Sequence, residues 1–151
     1  MSQSFTASFH ARWGEMDFNG HMKNTAYLDT AANVRMMYFA ARGFPMSEFG
    51  KLAVGPVIFR DDIEYYRELR MLDPYTVDIA LAGLSKDRIR FRLRNAFYRD
   101  DGKKIAQVTS VGGRLDLSAR KLIAPPEALA QLLTTLHKTD DFDELDVAAK
   151  G

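Results

Sequence analysis

The fold turns on the stretch TAYLDTAANVRMMYFAARG, Thr25 to Gly43. Asn24 or Thr25 is suited to cap a helix start there, and Gly43 with Pro45 is suited to end it. Between these signals Tyr27, Leu28, Ala31, Ala32, Val34, Met36, Met37, Tyr38, Phe39 and Ala40 cover most of a helical circumference. A helix apolar nearly all round is expected to be buried rather than to lie on a surface. Its small residues permit close approach to a sheet.

Working outward, Phe5, Ala7, Phe9, Ala11 and Trp13 alternate with Thr6, Ser8, His10 and Arg12, the period of a strand with one buried face. A short connector, Gly14 to Asn24, joins that strand to the helix. After the helix a short helical turn is expected over Pro45 to Leu52. VGPVIFRDDIEYYREL then reads as a long strand, bulged near Asp61 and Asp62. DPYTVDIALAGLS and DRIRFRLRNAFYR are two more strands, joined tightly at Ser85–Lys86–Asp87. Asp100–Asp101–Gly102 is a hairpin signal leading to a last strand, Lys103 to Leu117. Pro125–Pro126 starts a short amphipathic helix through Leu136. Short connections favour antiparallel pairing. The expectation is an α+β fold, a curved antiparallel sheet of about five strands wrapped around one long central helix. Residues 1–137 form the single domain, and 138–151 an acidic, frayed tail.

The 151 residues include no cysteine, which excludes disulfides, thiolate metal sites and a cysteine nucleophile. The N-terminus lacks the pattern of a signal peptide, and no apolar run approaches membrane-spanning length. A cytoplasmic protein that neither enters a membrane nor binds nucleic acid is expected. The net charge of +1 divides into −3 over Lys138–Gly151 and +4 over the rest, a balance that suits a small anionic ligand. His10, His21 and His137 have no metal-ligand spacing, so no metal is expected.

The connector and helix start, WGEMDFNGHMKNTAYLDTAANVRMMYF, resemble the hotdog-fold acyl-CoA thioesterases of the 4-hydroxybenzoyl-CoA thioesterase branch. Asp17, Gly20, Asn24, Tyr27 and Leu28 match that family's pattern without a gap. IEYYRELRMLDPYTVDI and GRLDLSARKLIAPPEAL resemble its later strands and the Pro-rich step that follows, so the resemblance covers about Phe5 to Leu133. It implies hydrolysis of an acyl-CoA to free acid and CoA, with no cofactor beyond the coenzyme A of the substrate, in a homodimer or homotetramer. Asp17 is implied as the nucleophile or general base, and the backbone N–H of Asn24 as the oxyanion donor. Gly20 and Tyr27 are implied as substrate-facing residues, while His21, which lies outside the matched pattern, is read from its chemistry as a candidate catalytic group that polarises the carbonyl or orients another group. Several relatives have histidine or tyrosine where this chain has Asn24, a departure that bears on the substrate class.

Each residue also has a plainer reading. Asp17 is a turn former or an acid near a helix start, Asn24 an N-cap, and His21 a polar loop residue. Asp29, inside the apolar helix, and Glu64 are rival carboxylates. Arg88, Arg90, Arg92 and Arg94 alternate with Ile89, Phe91 and Leu93. That stripe is either a solvated sheet face, paired with acids such as Asp78 or Glu64, or a contact for CoA phosphates through Arg88 and Arg90. Two alternatives to hydrolysis stand. One is a hydratase or dehydratase, since Asp17–Phe18–Asn19–Gly20–His21 imitates a D-x-N-P-x-H signature without its proline and with histidine one place early. The other is a non-catalytic module that binds acyl-CoA.

Overall fold

The computed structural model describes residues 4–147. Strand β1 (Thr6–His10) leads through a 3-10 turn at Trp13–Glu15 into helix α1 (Asn24–Ala41) and the short α2 (Met46–Leu52). Then come β2 (Val54–Tyr65), β3 (Pro74–Asp78), β4 (Ala80–Ser85), β5 (Arg90–Arg99), β6 (Lys104–Asp116), β7 (Lys121–Ile123), α3 (Glu127–Thr134) and β8 (Lys138–Leu145). β3 and β4 are two parts of one sheet row, interrupted at Ile79, and both pair with β5. β5 pairs with β6, and β6 with β2. β1 and β8 lie on the outer side of β3 and β4 respectively, and β8 runs parallel to its neighbour. The sheet-around-helix arrangement expected from the resemblance is the one observed, with eight strands in the sheet rather than about five.

Helix α1 contacts the sheet through Ala26, Tyr27, Thr30, Ala31, Val34, Arg35, Tyr38 and Phe39, pairs recurring every four residues. Ala26, Ala31 and Thr30 keep the helix close to the strands. Burial on all sides is corrected: Asp29, Ala32, Asn33, Met37 and Ala40 face outward. One sheet covers one side of a helix, and the apolar residues on the other side are left exposed by the described residues.

The buried stripe contains a charge. The Arg35 guanidinium donates to Asn95 Oδ1 at 2.9 Å and to Ser110 Oγ at 2.7 Å, and the Ser110 hydroxyl donates to Asp61. Helix, β5, β6 and β2 are thereby tied through one polar chain. Arg114 on β6 is buried without such help. Its Nε has no partner among the described residues, and its Nη1 donates to the Gly113 carbonyl at a long 3.5 Å. The rings of Phe91 and Phe39 lie 4.6 and 5.7 Å from it.

Three other expectations are corrected. The irregularity in β2 falls between Ile58 and Arg60, not at Asp61–Asp62. Arg88 is not on the arginine stripe, because the chain turns there with a φ of 63° and the strand begins at Arg90. Residues 138–145 are not frayed but form β8, since the edge of β4 offers backbone partners and Arg94 binds Asp141 at 2.8 Å.

Candidate active site

Asp17 N–H donates to the His21 carbonyl at 2.8 Å, and Gly20 N–H to the Asp17 carbonyl at 3.1 Å, so the connector folds into a tight turn. Gly20 sits there at φ +75°, a conformation that side chains disfavour. The Asp17 carboxylate closes the same turn. Its Oδ1 accepts the N–H groups of Asn19 at 2.8 Å and His21 at 3.1 Å. The turn-forming reading of Asp17 therefore holds for Oδ1. Oδ2 makes no hydrogen bond among the described residues, and the residue is exposed.

The helix start is held by tertiary contacts rather than by a side-chain cap. Lys23, not Asn24, is the capping residue, and it makes no side-chain cap bond. A helix leaves its first four N–H groups without intrahelical acceptors. Here Lys23 N–H donates to the Glu15 carbonyl at 2.8 Å and Ala26 N–H to the Lys23 carbonyl at 3.0 Å. Thr25 N–H donates to Asn24 Oδ1 at 3.0 Å. The Asn24 N–H is the one left without an acceptor among the described residues.

Asp17, His21, Met22, Asn24, Tyr27, Tyr65, Arg67 and Glu68 line one concavity of about 200 Å³. Four expected site residues, Asp17, His21, Asn24 and Tyr27, are thus brought together, with Gly20 in the turn beside them. Tyr65, Arg67 and Glu68 were not expected. Tyr65 donates its hydroxyl to the Asn24 carbonyl at 3.2 Å and stands edge-on to Tyr27 at 5.5 Å. The His21 imidazole Nε2 lies 3.0 Å from Glu68 Oε2. Burial pushes the Tyr27 phenol up to about 12, with the charges of Tyr75, Tyr65, Asp17 and Glu68 adding to it, so it remains a neutral hydroxyl at physiological pH. The only sequence signal for these additions was the aromatic, charged end of β2, which carries no spacing relation to Asp17.

The rival carboxylates lie elsewhere. Asp29 faces a separate groove between α1 and β1, also lined by His10, Lys23, Asn33 and Tyr75. It is exposed, so no burial partner is required. Glu64 lies with Arg60, Asp62, Arg92 and Arg94 in a different depression. Arg88 pairs loosely with Glu127 at 3.8 Å, and Arg90 packs on the Phe59 ring at 5.1 Å. β5 brings Phe97, not Arg90, against Tyr27. At about 3.3 Å per residue, Arg90 is on the order of 20 Å along that strand. No group of three or more His, Asp or Glu among the described residues is placed to hold a metal ion.

The profile of the thioesterase-like superfamily matches residues 11–133. A curated relative from Agrobacterium fabrum, named L-carnitine dehydrogenase/betainyl-CoA thioesterase, is 25% identical over 142 residues. That match takes in 94% of this chain, but the chain spans only 29% of the relative's length. Among solved structures, a Staphylococcus aureus protein in complex with CoA superposes with a TM-score of 0.81, at 19% identity, over 99% of this chain and 98% of that one. A 1,4-dihydroxy-2-naphthoyl-CoA thioesterase from Synechocystis superposes with a TM-score of 0.79, at 12% identity, over 89% and 98%.

Proposed function

The chain belongs to the thioesterase-like superfamily, and from that premise we propose that it hydrolyses an acyl-CoA to the free acid and CoA. The observation that carries the reading is the pairing of a carboxylate oxygen with an unsatisfied helix N–H in one concavity. The thioester carbonyl oxygen is placed at the Asn24 N–H, where the positive end of the helix dipole favours the charge that develops on it. The Asp17 carboxylate, through Oδ2, acts on the carbonyl carbon or on a water. As general base it takes a proton from water while the water oxygen bonds to the carbon. The C–S bond then breaks, and that proton passes to the departing CoA sulfur. As nucleophile Asp17 bonds to the carbonyl carbon, the C–S bond breaks and the CoA thiolate leaves to take a proton from solvent, and water subsequently opens the acyl anhydride. A single turnover in ¹⁸O-water separates the routes where water opens the anhydride at the Asp17 carboxyl carbon: the first acid released is then unlabelled and Asp17 carries the label, whereas the base route labels that acid directly. Opening at the acyl carbon labels the acid as the base route does, and trapping the anhydride with hydroxylamine distinguishes those two. His21, oriented by Glu68, and Tyr65, bonded to the Asn24 carbonyl, position the helix start.

The experiment is a thiol-release assay over an acyl-CoA panel, with product analysis. Free acid plus CoA supports hydrolysis. An altered acyl chain still on its thiol would move the assignment to a hydratase or dehydratase. Binding without turnover on every substrate would leave a non-catalytic acyl-CoA module. The panel includes a trimethylammonium acyl group, because the Tyr27 and Tyr65 rings stand beside the carboxylates of Asp17 and Glu68, a lining suited to a cationic acyl head. A neutral isostere hydrolysed equally well would remove that preference.

The active form is proposed to be an isologous dimer. β2 pairs on one side only, with β6, and exposes Ile58, Phe59 and Tyr65. Two copies pairing antiparallel about Asp61 would set Arg60 of each against Asp62 of the other. A monomeric mass by light scattering at micromolar concentration would refute this. No helix among the described residues is long and apolar enough to cross a membrane.

A further inference from the structure

Beside the Asp17 concavity lies a second cleft of about 450 Å³, lined by Tyr66, Arg67, Glu68, Arg70, Asp73 and Arg99. Arg67 and Glu68 line both, so the two depressions adjoin. The backbone joins them as well. His21 and Arg70 form an antiparallel bridge, and Met22 N–H donates to the Leu69 carbonyl at 2.7 Å. The turn that carries Asp17 is therefore held directly against the segment that carries Arg67 and Arg70.

The charges in this cleft do not cancel. Its two carboxylates are already engaged, Glu68 by the His21 imidazole at 3.0 Å and Asp73 by the Arg70 backbone N–H at 2.8 Å. Arg67 and Arg70 form no ion pair with a carboxylate among the described residues. Arg67 donates Nη1 to the Lys104 carbonyl at 2.9 Å, which holds the guanidinium in place without neutralising it. Arg99 has only the surface pair with Asp101 at 3.1 Å. The Lys104 ammonium adds a further positive charge, 5.6 Å from the Tyr66 ring centre. Planar guanidiniums free to present paired N–H groups are phosphate ligands by geometry as well as by charge. Arg88, in the turn before β5, pairs with Glu127, and Arg90, at the far end of β5, packs on the Phe59 ring with its Nε buried and without a partner among the described residues.

We propose that this cleft binds the phosphorylated nucleotide end of the substrate, with Arg67, Arg70 and Arg99 as phosphate contacts. The inference rests on the acyl-CoA reading above and deepens it. The site then reads the nucleotide as well as the thioester, and a free coenzyme A thioester is favoured over a thioester that lacks the nucleotide.

The test uses the full chain, two thioesters with the same acyl group (acyl-CoA and acyl-pantetheine) and adenosine 3′,5′-bisphosphate as a binding probe. Arg70→Ala and Arg99→Ala are compared with Arg88→Ala and Arg90→Ala. The ratio of kcat/KM for acyl-CoA over acyl-pantetheine should fall about tenfold for each cleft arginine removed, the scale of one charged contact. Calorimetric binding of the bisphosphate should weaken by a similar factor. The ratio should not change in the Arg88 and Arg90 variants. An equal loss on both thioesters would make the cleft arginines merely structural and overturn the proposal. So would a loss of the ratio in the Arg88 and Arg90 variants instead. If neither thioester is hydrolysed but the bisphosphate binds and Arg70→Ala weakens it, the nucleotide cleft stands and the thioesterase reading falls. If thioesters are hydrolysed and the bisphosphate does not bind, the thioesterase reading stands and the cleft falls.

Discussion

Arg114 offers a test of the physics of this core, because replacing it with methionine should make the protein more stable. The side chain is 1% exposed, and among the described residues its Nε has no partner and it forms no ion pair with a carboxylate. Burial pulls its pKa well down from the ordinary arginine value, to about 10. At about 1.4 kcal/mol for each tenfold change in proton affinity, the charged form is disfavoured by about 3 kcal/mol relative to the unfolded chain. The Phe91 and Phe39 faces return about 1–2 kcal/mol through cation–π attraction. Methionine keeps much of the volume and fits irregular apolar space. The expected net gain is about 1–2 kcal/mol, which for a chain of this size raises Tm by roughly 2–8 °C. Urea unfolding with an unchanged m-value is the assay. A loss of about 3 kcal/mol or more is the cost of breaking a buried ion pair. That outcome would refute the reasoning and mean that an acid from outside this chain faces Arg114.

The catalytic proposal predicts that Asp17→Asn lowers hydrolysis by roughly two or more orders of magnitude in folded protein, the scale of a lost acid–base group. Asp29→Asn should leave activity intact, and the reverse pattern in a thiol-release assay would move the chemistry to the α1–β1 groove. Arg35→Met should destabilise by about 3 kcal/mol, because it leaves the buried Asn95 Oδ1 without its donor and removes the cation that faces Asp61; an unchanged urea midpoint would count against the polar chain as a structural tie. The bond from Arg94 holds the Asp141 carboxyl down at about 2. A depressed carboxylate contributes stability above its unfolded value that is lost as pH falls through its folded one. Attachment of β8 should therefore weaken between about pH 4 and pH 2, read as faster amide exchange over residues 138–145, and exchange independent of pH there would contradict it.

The central helix and the main strands were legible because their patterns are local: period two in Phe5–Phe9 and Ile89–Leu93, and an apolar run from Thr25 to Gly43. Neither Asn24 nor Thr25 caps that helix, and the first alternation was carried too far, since β1 ends at His10 and Trp13 lies exposed in the 3-10 turn. The cluster Asp17, Gly20, His21, Asn24 was legible because it lies in one connector. What escaped was contributed by distant segments. Tyr65, Glu68 and Arg70 meet the connector only after β2 has crossed the sheet, and nothing in their spacing encodes that meeting. Arg88 was misplaced by extending the strand alternation through a residue where the backbone turns. β8 was missed because KTDDFDEL has the composition of a solvated tail, and only the vacant edge of β4 makes it a strand. The outward face of α1 escaped for a related reason: apolar residues all round a helix report a need for cover without saying which molecule supplies it.

The placement of β1 and β8 also bears on how the proposed dimer would stop growing. The two strands share one rim of the sheet but run in opposite senses, one antiparallel and the other parallel to the row they flank. An incoming strand laid along that rim would have to change its hydrogen-bonding pattern partway, and beyond the change it would meet Asp140, Asp141, Asp143 and Glu144. The opposite rim is the single long run of β2, free of any such reversal. In the dimer proposed above, edge pairing that consumes β2 would leave no second template of comparable length among the described residues, so strand addition would stop at a closed pair instead of propagating into a fibre.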